Sequence, residues 1–207
     1  MLRRFALHSD AELRILSEVD AEAIFRLIQE NQTYLQKRFQ WAYQVHTIED
    51  SLHFVHESTQ KLKQSRAFDA GIWYQGQLAG MVGLHPIDWL NREVEIGYWL
   101  GEKYQGLGLV TKAVRLMLSY AFEQLKLNRV ELLCAVDNER SKAVACRLNF
   151  VFEGTEREGL RIQGKFFDVA CYSLLAKEYF SNVALQTWMM AKKMQGKRIS
   201  KYAQSSR

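Results

Sequence analysis

Two glycines one residue apart, Gly106 and Gly108, stand where a strand-like run gives way to a helix-like one. The run Glu93 to Leu100 alternates in polarity, and Gln105-Gly106-Leu107-Gly108-Leu109-Val110-Thr111 leads from it into an amphipathic stretch. Glycine lets the backbone come close to a ligand, and the first amides of a helix lack intrahelical partners. Those amides, with the positive end of the helix dipole, favour an anion such as phosphate. On spacing alone the pair also fits an ordinary strand-to-helix turn. Other chemistry-bearing patterns are thin. His53 and His56 are three apart on a helical stretch, but no third ligand is spaced to join them, and they read as surface histidines. No metal site and no Gly-x-Ser-x-Gly elbow are expected.

The chain that must position this loop has 207 residues, 48% of them hydrophobic, which suits one domain with a substantial core. The net charge of +5 is unevenly spread. From Ser181 onward there are six basic residues (Lys192, Lys193, Lys197, Arg198, Lys201, Arg207) and no acidic one, leaving 22 basic against 23 acidic in the rest. The basic character therefore belongs to a tail, residues 181–207, expected to be partly helical or disordered. The tail is compatible with contact to a polyanion such as RNA, though the plainer reading is a solvated terminus. No apolar run approaches ~20 residues, and Met1 to Asp10 lacks a signal-peptide core. Cys134, Cys146 and Cys171 show no ligand spacing and read as reduced, buried thiols of a cytoplasmic protein.

Periodicity assigns the elements. Leu13 to Leu16 reads as a first strand, and Asp20 as the N-cap of a helix over Ala21 to Glu30. An aromatic link with Tyr34, Phe39, Trp41 and Tyr43 precedes a second helix marked by Ile48, Leu52, Val55, Thr59 and Leu62. Strands follow over Ala67 to Tyr74, Gln77 to His85 and Glu93 to Leu100, the first two joined by Gln75-Gly76. In the third, Glu93, Glu95, Gly97 and Trp99 share one face. The stripe Val110, Ala113, Val114, Met117, Leu118, Ala121, Phe122, Leu125 predicts a helix over 110–126. A strand over Arg129 to Val136 leads to a short helix capped at Asp137-Asn138 and ended by Asn149. Val151 to Thr155 and Phe166 to Leu175 complete an α/β unit spanning 1–180.

In this order the elements resemble the GNAT superfamily of N-acetyltransferases, whose pyrophosphate motif is Q/R-x-x-G-x-G/A. Gln105 and Gly108 match; Val110 replaces the small final residue. That replacement is similar to the ribosomal-protein N-terminal acetyltransferase branch, as are Glu95 to Leu100 (Glu-Ile-Gly-Tyr-Trp-Leu), Thr111, Asn138 with Ser141, and Phe152-Glu153-Gly154 through Asp168 and Tyr172. The resemblance implies a mixed, mostly antiparallel twisted sheet of about seven strands flanked by about four helices, with a V-shaped splay between the two central strands.

It also implies direct acetyl transfer from acetyl-CoA to an amine. Backbone amides from Gln105 through Gly106, Leu107, Gly108, Leu109, Val110 and Thr111 would hold the diphosphate. The strand at Tyr98, Trp99 and Leu100 would bind the pantetheine arm and polarise the thioester carbonyl. Asn138 resembles a pantetheine contact, a role compatible with an ordinary N-cap. Glu95 is the expected base, with Glu93 as fallback; both also suit a solvated strand face. Ser141 resembles the residue that relays a proton to the leaving thiolate, with Tyr98 and Tyr172 as further candidates.

The acceptor is expected between the aromatic link, notably Tyr34 and Trp41, and a hairpin around Glu158 to Lys165. It would be the N-terminal α-amine of a protein such as a ribosomal protein. The alternatives are a small amine (polyamine, aminoglycoside, amino-acid derivative) or a non-catalytic CoA-binding or RNA-associated role. A homodimer is common among relatives.

Overall fold

The computed structural model describes residues 4–183. The expected tail with its six basic residues lies almost wholly outside them. Eight strands form: β1 (Arg4–His8), β2 (Ala11–Ile15), β3 (Phe68–Tyr74), β4 (Gln77–Asp88), β5 (Glu93–Leu100), β6 (Arg129–Ala135), β7 (Val151–Ile162) and β8 (Lys165–Leu175). They make one sheet in the order β1-β2-β3-β4-β5-β6-β8-β7, with every neighbouring pair antiparallel except β5 and β6. The β3–β4 and β7–β8 hairpins turn on Gln75-Gly76 and Gln163-Gly164, where all four residues take positive φ. Such turns match the twist of the strands they join.

The helices are α1 (Ala21–Glu30), α2 (Gln32–Gln36), α3 (Ile48–Lys63), α4 (Leu109–Ser119) and α5 (Glu139–Arg147). A further helical stretch occupies 176–183, where Tyr179 stacks on Phe122 at 4.9 Å. Helix α1 packs on α3 and β4, and α4 packs on β4 and β5. Buried Val114, Met117 and Leu118 give α4 the apolar stripe that its sequence announces. β4 is buried continuously from Leu78 to Leu84, as a central strand covered on both faces must be. No described helix is long and apolar enough to cross a membrane.

Several expectations are corrected. There are eight strands because Arg4–His8 adds a strand to the edge of β2; its half-exposed side chains carry little alternation. The 110–126 helix is α-helical only to Ser119 and continues as a π turn over Tyr120–Gln124, which keeps Ala121 and Phe122 buried. Asp20 stands at the N-cap position of α1 as expected, but its side chain makes no capping bond there. A 3-10 turn at Glu18–Asp20 runs straight into that helix, so the carboxylate of Asp20 instead accepts from the N–H and hydroxyl of Ser17 at 2.9 and 2.8 Å. The strand expected to stop at Thr155 extends to Ile162, because β8 pairs with it across two bulges. Asn149 does end α5 with φ 62°, and Asn138 caps it by accepting from the N–H of Ser141 at 3.2 Å.

The parallel pairing of β5 with β6 covers only Glu93–Glu95 against Arg129–Glu131. Past Glu95 the two strands part, forming the expected splay. At its closed end Arg129 of β6 lies 3.9 Å from Glu93 of β5 and donates to Glu131 of its own strand at 2.7 Å and to Glu153 of β7 at 2.7 and 2.5 Å. Ser173 also donates to Glu153, at 2.7 Å. These bonds hold the Glu153 carboxyl down at about 2, against an ordinary 4.5. A depressed carboxylate stabilises the fold above its unfolded pKa, and that contribution is lost as pH falls toward the folded one. Glu153→Gln should therefore lower the melting temperature at neutral pH, and melts in an acid series should show the gap to the parent closing from about pH 4.5 toward 2.

Candidate active site

The coenzyme loop is built by two left-handed glycines. After β5, a 3-10 turn at Glu102–Tyr104 leads to extended Gln105, then Gly106 (φ 78°) and Gly108 (φ 72°), which precedes α4. Asn31 at the end of α1, itself buried, fixes the start of the loop: it donates to the Leu27 carbonyl and accepts from the Glu102 N–H, both at 2.8 Å. The amides of residues 106–111 have no acceptor among the described residues. A Cβ added at Gly106 or Gly108 would meet nothing within 4 Å. The result is an open concave nest of donors at a helix N-terminus.

Two arginines of α5 that spacing did not single out border this nest. The guanidinium of Arg140 donates to the Gln105 side-chain carbonyl, and that of Arg147 lies 3.5 Å from the Thr111 hydroxyl. Their separation of seven residues puts them on one face of α5. That periodicity is the one signal the sequence carries for them, and it names a face without saying what it borders.

The splay opens a cleft of about 290 Å³ between β5 and β6. Gly101 donates to the Ala79 carbonyl, which makes 79 and 101 a hydrogen-bonded pair in the antiparallel register of β4 with β5. By alternation the N–H and C=O groups of Ile96, Tyr98 and Leu100 then point away from β4, toward the missing half of β6. The phenol oxygen of Tyr98 lies 2.7 Å from the hydroxyl of Ser141. Burial pushes the Tyr98 phenol far above its ordinary range, so it stays protonated as a donor. Asn138 and Ser141 both line the cleft. Cys134 lines it as well, a buried thiol pushed up by desolvation, whereas Cys146 is exposed and Cys171 intermediate, contrary to expectation.

A second, larger cavity of about 670 Å³ lies over the face of β5 that carries Glu95, Gly97 and Trp99. Its aromatic wall is Phe39, Trp41 and Trp99, with ring centroids 5.4 Å (Phe39–Trp41) and 5.7 Å (Trp41–Trp99) apart. Glu95 and Tyr98 line both cavities. Burial raises the Glu95 carboxyl, Glu131 adds to the rise, and His85 opposes it. Other candidates fall elsewhere. Glu93 sits at the closed end of the splay, 3.9 Å from Arg129, and lines neither cavity. Tyr34 packs against the core and Tyr172 against Phe152. The β7–β8 hairpin reaches the aromatic link, where the Gln163 N–H donates to Gln40 at 2.9 Å. His53 pairs with Glu57 and His56 with Glu18, so the two histidines do not converge.

Known proteins match this arrangement. The model of the acetyltransferase (GNAT) domain fits residues 11–151. YdaF of Bacillus subtilis (strain 168) is 38% identical over 168 residues, 81% of this chain and 92% of its own. The ribosomal-protein-serine acetyltransferase of Escherichia coli (strain K12) is 28% identical, over 84% of this chain and 97% of its own. The solved structure of RimL, a ribosomal L7/L12 alpha-N-protein acetyltransferase in complex with coenzyme A, superposes with a TM-score of 0.80 at 28% identity, covering 84% of this chain and 99% of that one. An amide nest at a helix mouth, a cleft between parted strands and a desolvated carboxylate where the cleft meets a second cavity thus stand in one molecule, and the chain belongs to the GNAT family as an N-acetyltransferase that uses acetyl-CoA.

Proposed function

We propose that the acceptor is the α-amine of a protein N-terminus, a ribosomal protein foremost, and that Glu95 is the base. The reading rests on one observation: Glu95 stands where the cleft meets the second cavity, with its carboxyl raised by burial. Two of the relatives act on ribosomal proteins by name, one of them at the α-amine. An open aromatic wall beside carboxylates suits the cationic end of a peptide. A ribosomal acceptor would place the reaction in the cytoplasm.

In this reading the amides of residues 106–111 hold the diphosphate, assisted by Gln105 and Thr111. Pantetheine lies in the splay as a pseudo-strand against Ile96 to Leu100, near Asn138. Glu95 takes a proton from the acceptor ammonium, and the freed amine attacks the thioester carbonyl. The N–H groups of Tyr98 and Leu100, left without strand partners, stabilise the oxyanion. Collapse breaks the C–S bond, and the surplus proton left on the attacking nitrogen passes to the departing thiolate through Ser141, whose hydroxyl is backed by the Tyr98 phenol. Serine alone is a poor acid, so the 2.7 Å pair with a protonated phenol is what makes the relay workable.

Release of free thiol, followed with peptides carrying free or blocked N-termini and with spermidine, tests the acceptor. Turnover confined to the unblocked peptides is expected; acetylation of spermidine alone would remove the proposal. Glu95→Gln should cut turnover roughly 100-fold with little change in acetyl-CoA affinity. Gly108→Val puts a β-branched residue at φ 72° and a side chain into the nest. Calorimetry should find acetyl-CoA binding weakened about tenfold or more, in a protein that still folds.

A further inference from the structure

One row of side chains on the floor of the larger cavity has no part in the chemistry so far. Asp69 on β3 faces Gly83 on β4, and Gly83 faces Gly97 on β5, in register across three strands. Neither glycine contributes a side chain, and the space is used. A Cβ at Gly83 would lie 2.4 Å from the Asp69 carboxylate and 2.8 Å from the His85 ring; one at Gly97 would lie 3.6 Å from that ring. His85 thus lies over both glycines, with its Nε2 3.6 Å from Asp69. That distance is an ion-pair contact rather than a direct hydrogen bond.

The strand itself is bent at this point. Register between β4 and β5 slips between Leu84 and Ile87, so His85 and Pro86 together oppose Glu95. A bulge of this kind re-aims a side chain. Here it brings the imidazole over Gly97, onto the cavity-lining face of β5 that also carries Glu95, within electrostatic range of that carboxylate and of Asp69. Asp69 is nearly buried, its side chain 12% exposed, and takes a hydrogen bond from buried Ser58 of α3. His85 is 49% exposed. The row therefore runs from a desolvated carboxylate to a ring that reaches solvent, anchored from behind by a second carboxylate.

Glu95 must shed one proton per turnover, and the bound acceptor stands between it and the mouth of the cavity. We propose that His85, held by Asp69, is the positioning residue that carries this proton out. The acceptor ammonium gives its proton to the Glu95 carboxylate. The carboxylic acid passes it to the neutral imidazole, directly or through one water, and the imidazolium releases it to bulk water. Asp69 stabilises the imidazolium and fixes the ring; burial raises its carboxyl, and His85, Ser58 and Lys61 oppose that rise. On the far side of Glu95, Glu131 adds negative charge but is bonded to Arg129.

This inference rests on Glu95 as base, and the test separates the two. His85→Ala opens a half-exposed hole that imidazole can enter. With a peptide bearing a free N-terminal serine as acceptor, the variant should lose about tenfold in kcat at unchanged KM for acetyl-CoA, and added imidazole should restore turnover in proportion to its neutral form. Asp69→Asn should lower kcat as well, without a response to imidazole. An unchanged kcat in His85→Ala, or a loss that imidazole leaves untouched while acetyl-CoA affinity is intact, overturns the relay. Full turnover by Glu95→Gln would instead sink the base assignment.

Discussion

The structure depends on how little β5 and β6 are paired. Three residues of parallel ladder, with Arg129 of β6 set 3.9 Å from Glu93 of β5 and bonded on its other side to Glu153 of β7, are all that joins the strands before they leave each other. Everything beyond Glu95 follows from the parting. Unpaired main-chain groups in a folded protein cost free energy unless water or a ligand satisfies them. A sheet that gives up its ladder at its centre is therefore a sheet built around something extended.

The second constraint is the placement of missing side chains. Gly80, Gly83 and Gly97 interrupt two central strands that otherwise carry bulky residues, and each absence has a local cause. At Gly80 a Cβ would fall 2.1 Å from the Trp99 carbonyl, so the strands approach more closely there than any side chain allows. At Gly83 and Gly97 the vacated volume is taken by a histidine ring and a carboxylate. Gly106 and Gly108 differ in kind: nothing occupies their Cβ positions, and their positive φ is what turns consecutive amides to one side. Two uses of glycine, close approach and backbone inversion, thus serve the two halves of the site.

Local signals are legible along the chain itself. The boundaries of β5 and α1 match their expected spans to the residue, the Gln75-Gly76 turn and the Asn149 stop are in place, and the glycine loop opens a helix as its spacing requires. What a linear sequence does not carry is any relation between distant segments. Asp69 and His85 are sixteen residues apart on different strands, and only the β3–β4 register with a bulge at His85 makes them neighbours. Arg140 and Arg147 meet the loop through the packing of α5 against α4. Asp20 holds the N-cap position of α1 without a capping bond because Ser17, three residues upstream, takes its carboxylate. The π turn after Ser119 is likewise invisible to periodicity, since it preserves the apolar stripe while changing the hydrogen bonds beneath it.

Charge is divided along β5 in a way that explains why one strand can serve two ligands of opposite sign. No lysine or arginine lines the larger cavity, whose ionisable groups are Asp50, Asp69, Glu95, His53, His85 and Tyr98. The arginines stand at the other end, beside Gln105 and Thr111. A unit charge 4 Å from Glu95 at an effective dielectric of 20 would be worth about 4 kcal/mol, enough to hold its carboxyl ionised and make it a weak base. The influences on Glu95 include no arginine: burial acts first, His85 and Glu131 after it. With the arginines at the loop, burial is left as the largest influence on the Glu95 carboxyl, the condition that the proposed base needs.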